Sequence, residues 1–132
     1  MSQSEADGRR RAPDTLEVEA RTHRRTALVE LWGELDLSTV PRVAEVLDGI
    51  APNADGVRHI VLDLRGLRFM DASGLHELIR QHDYAHHNRH NLAVVRGRKA
   101  VERLLALTAV EELLVMVDEP EDLVPPQSAP AG

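Results

Sequence analysis

The stretch LRFMDASGLHELI, residues 67–79, places an acid, a hydroxyl and a glycine (Asp71, Ser73, Gly74) just after the apolar run HIVLDL. Three kinds of chemistry can use such a trio. A nucleophilic serine on a strained strand-to-helix turn needs a glycine two residues before it, and that position holds Asp71. A helix cap needs only the Asp71 carboxylate, which accepts a bond from an unpaired N–H and contributes about 0.5–2 kcal/mol. An anion site uses the same unpaired N–H groups and the positive end of the helix dipole, with Gly74 leaving the backbone unshielded. A hydroxyl there can carry a phosphate, adding about −1.5 to −2 charges among Asp71, Asp36 and Glu34 if the fold brings them close. The local residues leave the cap and the phosphate site both open.

A second constellation is His82, His86 and His90, spaced by four, with Asp83 and His87 close by. An i, i+4 histidine pair on a helix can bind zinc, which points to a small metal-dependent hydrolase. Three features count against it. His82 falls on an apolar helical stripe, where packing is its ordinary role. HNRHNL reads as a turn that takes His90 out of register. A catalytic zinc site also needs a third ligand and a base around an open position. LDGIAPNADG has no lysine and is no P-loop. RGRKAVER (96–103) is basic, but on an amphipathic helix it reads as a solvated face.

The elements that must position the junction alternate between strand and helix over residues 14–124. TLEVEARTH (15–23) reads as an edge strand with Leu16 and Val18 inward. TALVELWGELDL (26–37) alternates well, with Val29, Leu31 and Leu35 on one face and Glu30 and Glu34 on the other. A helix follows in STVPRVAEVLDGIA, with Ser38 or Thr39 as cap, Pro41 in the first turn, and Val40, Val43, Ala44, Leu47 and Ile50 at helical spacing. After the turn PNADG, RHIVLDL (58–64) is a strand with Ile60, Leu62 and Leu64 on one face. The second helix carries Leu75, Leu78, Ile79 and His82 on one stripe. NLAVV (91–95) is a strand, KAVERLLALT (99–108) a helix with Val101, Leu104 and Leu105 inward, and ELLVMVD (112–118) a last strand. EPEDLV gives one final helical turn, and residues 1–13 and 125–132 read as disordered tails.

Right-handed crossovers between such units give parallel strands. The strands keep one polar face, with Asp63 opposite Leu62, whereas a sheet buried on both faces would read as continuous apolar runs. The expected fold is therefore α/β in two layers: a mixed, mainly parallel sheet with the helices largely on one face.

Composition narrows the function. The chain has 132 residues, 42% hydrophobic and 29% charged, which suits one soluble domain. Its aromatics are Trp32, Phe69 and Tyr84 alone, too few for a pocket of stacked bases or a flat cofactor, and no cofactor is implied. A net charge of −6 argues against nucleic acid as partner. Fifteen of the sixteen basic residues are Arg, as GC-rich bacterial coding would give, and there is no Cys for a disulfide or thiolate site. With no long apolar run and no signal-peptide pattern, neither membrane insertion nor export is expected, and the reading is cytoplasmic.

The segments GELDLS (33–38) and FMDASGL (69–75), within LVELWGELDLSTV and HIVLDLRGLRFMDASGLHELI and followed by NLAVVRGRKAVERLLALTAVEELLVMVDEPEDLV, resemble the anti-sigma-factor antagonists of the STAS domain family. The resemblance runs from about residue 15 to 124. It implies a non-enzymatic α/β protein that binds a serine-kinase-type anti-sigma factor and so releases a sigma factor. The kinase ends the contact by phosphorylating the motif, and a serine phosphatase restores it. The implied contact comprises Asp71, Ala72, Ser73, Gly74 and Leu75, with Glu34 and Asp36 at its margin. The family's acceptor position is here Ala72, which has no hydroxyl, so switching goes through Ser73 or is lost. The rivals are a STAS module acting as a scaffold or transport-complex subunit, and the histidine-dependent hydrolase.

Overall fold

A computed structural model describes residues 16–50 and 56–120. Leu16–His23 (β1) and Thr26–Leu35 (β2) form an antiparallel hairpin. His59–Met70 (β3), Asn91–Val95 (β4) and Val115–Val117 (β5) extend it in parallel, so the sheet order is β1-β2-β3-β4-β5. The helices Val40–Ile50 (α1), Ala72–Asn88 (α2) and Lys99–Leu107 (α3) are the three crossovers. Each right-handed crossover steps to the next strand in the same direction, so all three helices fall on one face. One core holds their inward residues, Val43 and Leu47, Leu75 and Leu78, Val101 and Leu105, against Val29, Leu31, Leu62 and Leu64. The two-layer mixed sheet expected from the sequence is the fold observed.

Four details differ from expectation. The third strand was expected to stop at residue 64, but β3 continues to Met70. It carries one extra residue between the pairs Glu30–Asp63 and Trp32–Gly66, and another between Gly33–Leu67 and Glu34–Phe69. Each bulge re-aims the side chains that follow it. Arg65, Arg68 and Phe69 therefore point out, while Leu67 and Met70 point in, and RGLRFM has no period of two to read. Secondly, the sheet face away from the helices is not simply polar: Val61, Ala93 and Val95 are buried, and so is Asp63. Asp63 accepts a bidentate fork from Arg65 Nε and NH2 at 3.0 and 2.8 Å. Thirdly, β2 ends at Leu35 rather than 37. Finally, a 3₁₀ turn at Val110–Glu112 takes the start of the segment expected as the last strand. The expected tails, most of the PNADG turn and most of EPEDLV lie outside the described residues.

The inner side of α2 is not only its apolar stripe, because Glu77 and Gln81 are buried with it. The Gln81 amide donates to Glu77 Oε2 (2.7 Å) and to Asp48 Oδ1 of α1 (3.2 Å). Arg80 joins the same two carboxylates, and its bonds to Glu77 and then Asp48 raise its pKa. Satisfied in this way, the polar seam fixes α2 on α1 without leaving a buried group unpaired.

His90 lies beyond the αL residue Arg89 that ends α2, buried edge-on to Tyr84 at 6.1 Å. Neither ring nitrogen has a hydrogen-bond partner among the described residues, and burial lowers its pKa. The native ring resists a proton that the unfolded chain accepts below about pH 6.5. Stability present above that pH is therefore lost as pH falls. Urea unfolding of His90→Phe should show a shallower decline than the parent between about pH 6.5 and 5. Parallel pH curves would show that His90 is not the group responsible.

Candidate functional site

Asp71 builds the junction from both ends. Its N–H donates to the Leu35 carbonyl (3.1 Å), tying the end of β3 to the end of β2. Its extended backbone (φ −114°, ψ −169°) makes it the N-cap of α2, and Oδ1 accepts the Ser73 N–H at 2.8 Å. Its carbonyl accepts from the Gly74 and Leu75 N–H groups at 3.0 and 3.2 Å. Ala72 is exposed and Asp71 and Ser73 are half-buried, while Gly74 and Leu75 are buried. The last two therefore shape the site from inside.

Gly74 is also needed for packing, a role its residue type alone did not reveal. A Cβ built there would lie 2.6 Å from Met70 Cγ and 3.0 Å from Leu35 Cδ2. The missing side chain lets the first turn of α2 seat on the ends of β2 and β3.

The facing loop is built on Asp36. Its Oδ1 accepts from the Ser38 hydroxyl (2.8 Å), the Ser38 N–H (3.0 Å) and the Thr39 N–H (3.2 Å). Its own N–H donates to the Thr39 hydroxyl at 2.9 Å, which in turn donates to the Glu34 carbonyl at 2.8 Å. The carboxylate that closes the start of α1 is thus Asp36, not a hydroxyl of Ser38 or Thr39, and Thr39 is buried as a strut. The Ser38 hydroxyl, joined by the N–H groups of Ser38 and Thr39, holds the Asp36 pKa below the ordinary value despite some desolvation. Glu34 reaches Arg68 at 3.6 Å across an exposed gap, a pair of little energetic weight.

Two exposed apolar residues escaped the sequence reading. Leu37 is 76% exposed on the Asp36 loop, where continued alternation would have turned it inward, and the bulge at Arg68 exposes Phe69. No local pattern marks either. The histidines are not gathered: His86 and His87 are exposed on α2 and His90 is turned away and buried. Among the described residues no group of three or more His, Cys, Asp or Glu is placed to hold a metal ion. Nor is any described helix long and apolar enough to cross a membrane.

The sequence profile of the STAS domain matches residues 17–123. The chain belongs to the STAS domain family. A curated relative, the anti-sigma F factor antagonist of Paenibacillus polymyxa, is 31% identical over 103 residues, 78% of this chain and 87% of the relative. Among solved structures, an anti-sigma factor antagonist from Mycobacterium paratuberculosis superposes with a TM-score of 0.76 at 23% identity, covering 89% of this chain and 98% of that one. The unphosphorylated form of SpoIIAA gives 0.69 at 19% identity, covering 89% and 100%. At these identities the two structures speak to the fold alone. In this STAS domain the two motifs GELDLS and FMDASGL are the segments that the Leu35–Asp71 hydrogen bond joins.

Proposed function

We propose that this STAS domain is a cytoplasmic anti-sigma factor antagonist that works by binding rather than by catalysis. Its partner is a kinase-type anti-sigma factor, and occupation of that partner frees a sigma factor. The observation that carries the reading is the single acidic surface formed where Asp71 meets the end of β2. The Leu35–Asp71 hydrogen bond brings the Asp36 turn to the start of α2, where Ala72 is exposed, on a backbone fixed by the side-chain bonds of Asp36 and Asp71. Such a preorganised surface loses little conformational freedom on binding, and its charge suits a cationic contact on the partner. The name of the curated relative supports the same assignment.

The switch is altered in this chain. At the family's acceptor position Ala72 offers no hydroxyl, so the domain stays in its binding form. Ser73 lies one residue on, about 100° around the helix, half-buried, with its N–H held by Asp71. Phosphoryl transfer depends on near-attack geometry, which disfavours Ser73 as a substitute. A serine phosphatase would then have no substrate on this chain.

The test is titration calorimetry of the full chain against each purified, nucleotide-loaded anti-sigma factor kinase of the source organism. One of them should bind, and Ala72→Asp should weaken that binding by tenfold or more through an added buried carboxylate. Failure of all of them to bind the parent chain would refute the assignment.

A further inference from the structure

Phe69 is one of only three aromatic residues in the chain, yet it is 47% exposed. The fold itself turns it out. Strict alternation after the buried Leu67 would aim Phe69 at the core, and the extra residue at Arg68 reverses it. Phe69 and Met70 form one wall of a groove of about 220 Å³, and Ala100, Arg103, Leu104 and Leu107 of α3 form the other. Leu107 is 78% exposed. Arg103, on the same wall, forms no ion pair among the described residues. Phe69 lies opposite Glu34 in the sheet and Met70 directly precedes Asp71, so the groove borders the start of α2.

We propose that this groove seats an apolar side chain of the same anti-sigma factor partner, flanked on the partner by a carboxylate that meets Arg103. The inference rests on the function proposed above and adds a second anchor of different chemistry. The junction offers the carboxylates of Asp36 and Asp71 to cationic groups. The groove offers apolar walls and one unpaired guanidinium. A partner matching both must carry basic groups at one point and an apolar–acidic pair beside them, which fixes its orientation as well as its affinity. An apolar side chain seated between Phe69 and Leu107 would be shut off from water, the condition under which a single contact contributes most to binding. A second copy of this chain fits less well. Across a two-fold axis on the groove, Arg103 would face its own copy instead of a carboxylate.

The test uses the full chain and the anti-sigma factor found to bind it. Phe69→Ser and Leu107→Glu should each weaken binding at least tenfold with unchanged circular dichroism. Arg103→Glu should weaken it less, by an amount that shrinks at high salt. Leu113→Ser, another exposed leucine outside the groove, should bind like the parent. Parent-like binding by both Phe69→Ser and Leu107→Glu, with Ala72→Asp still weakened, overturns the groove and leaves the function standing. If Ala72→Asp also binds like the parent, the contact surface falls as well. A parent dimer in light scattering that Leu107→Glu makes monomeric would assign the groove to a second copy and overturn the proposal. A parent chain that binds no anti-sigma factor overturns both readings.

Discussion

Replacing Ala72 with serine should make the chain a substrate of its kinase partner and, once phosphorylated, cost at least a hundredfold in affinity. The substitution itself is mild. Ala72 is exposed in the first turn of α2, so folding stability should change by no more than about 0.5 kcal/mol. The phosphate is not mild. It brings about −1.5 to −2 charges to a helix start capped by the Asp71 carboxylate. The helix dipole favours an anion there by roughly 0.3–1 kcal/mol, but it does so in the free chain as well as in the complex, so it does not restore binding. Burying the phosphate against the partner adds desolvation and like-charge repulsion. A net loss of about 2.8 kcal/mol already amounts to a hundredfold.

Incubation with the kinase and ATP, followed by intact-mass spectrometry, should show one phosphate on Ala72→Ser and none on the parent chain. A phosphate on the parent that Ser73→Ala removes would make Ser73 the acceptor after all. Phosphorylated Ala72→Ser binding as tightly as the parent would show that the helix start is not the contact.

What the sequence made visible follows from periodicity. The alternation of Val29, Leu31 and Leu35 and the helical spacing of Val43 and Leu47 identify the core faces, because each element there keeps an undisturbed period. The same logic fails where the period breaks. The bulges at Leu64–Arg65 and Arg68 remove the alternation from RGLRFM, hiding both the second half of β3 and the exposure of Phe69. Leu37 was hidden because the Asp36 turn ends β2 two residues early through bonds from a side chain, not through any change in hydrophobicity. Glu77 and Gln81 would pass for solvent-facing residues, since only their partners Asp48 and Arg80, about thirty residues apart in sequence from each other, make their burial tolerable. At the junction itself the residue types of DASG were enough to indicate a cap. That Gly74 is there for packing emerges only once Leu35 and Met70 converge on it.

Gly66→Ala should destabilise the fold by about 2–3 kcal/mol, more than Gly74→Ala, although Gly74 belongs to the family motif and Gly66 does not. Neither glycine has a left-handed φ, so space alone decides. A Cβ on Gly66 would lie 2.3 Å from Trp32 Cδ1 and 2.5 Å from the Leu31 carbonyl oxygen. Trp32 can rotate away, being 39% exposed, but the carbonyl belongs to the backbone of a central strand and can yield only if β2 and β3 separate. Gly74 meets softer obstacles, the Met70 Cγ at 2.6 Å and the Leu35 side chain at 3.0 Å. Methionine repacks readily, and replacing a helical glycine by alanine returns about 1 kcal/mol of propensity. Its net cost should therefore be about 1 kcal/mol, felt chiefly as a displaced helix start and a weaker grip on the partner. Urea midpoints at constant m-value should rank the parent first, Gly74→Ala second and Gly66→Ala last. Trp32→Ala added to Gly66→Ala should recover little, because the backbone oxygen remains in the way. Full recovery in that double variant would identify the indole, not the strand backbone, as what excludes a side chain at position 66.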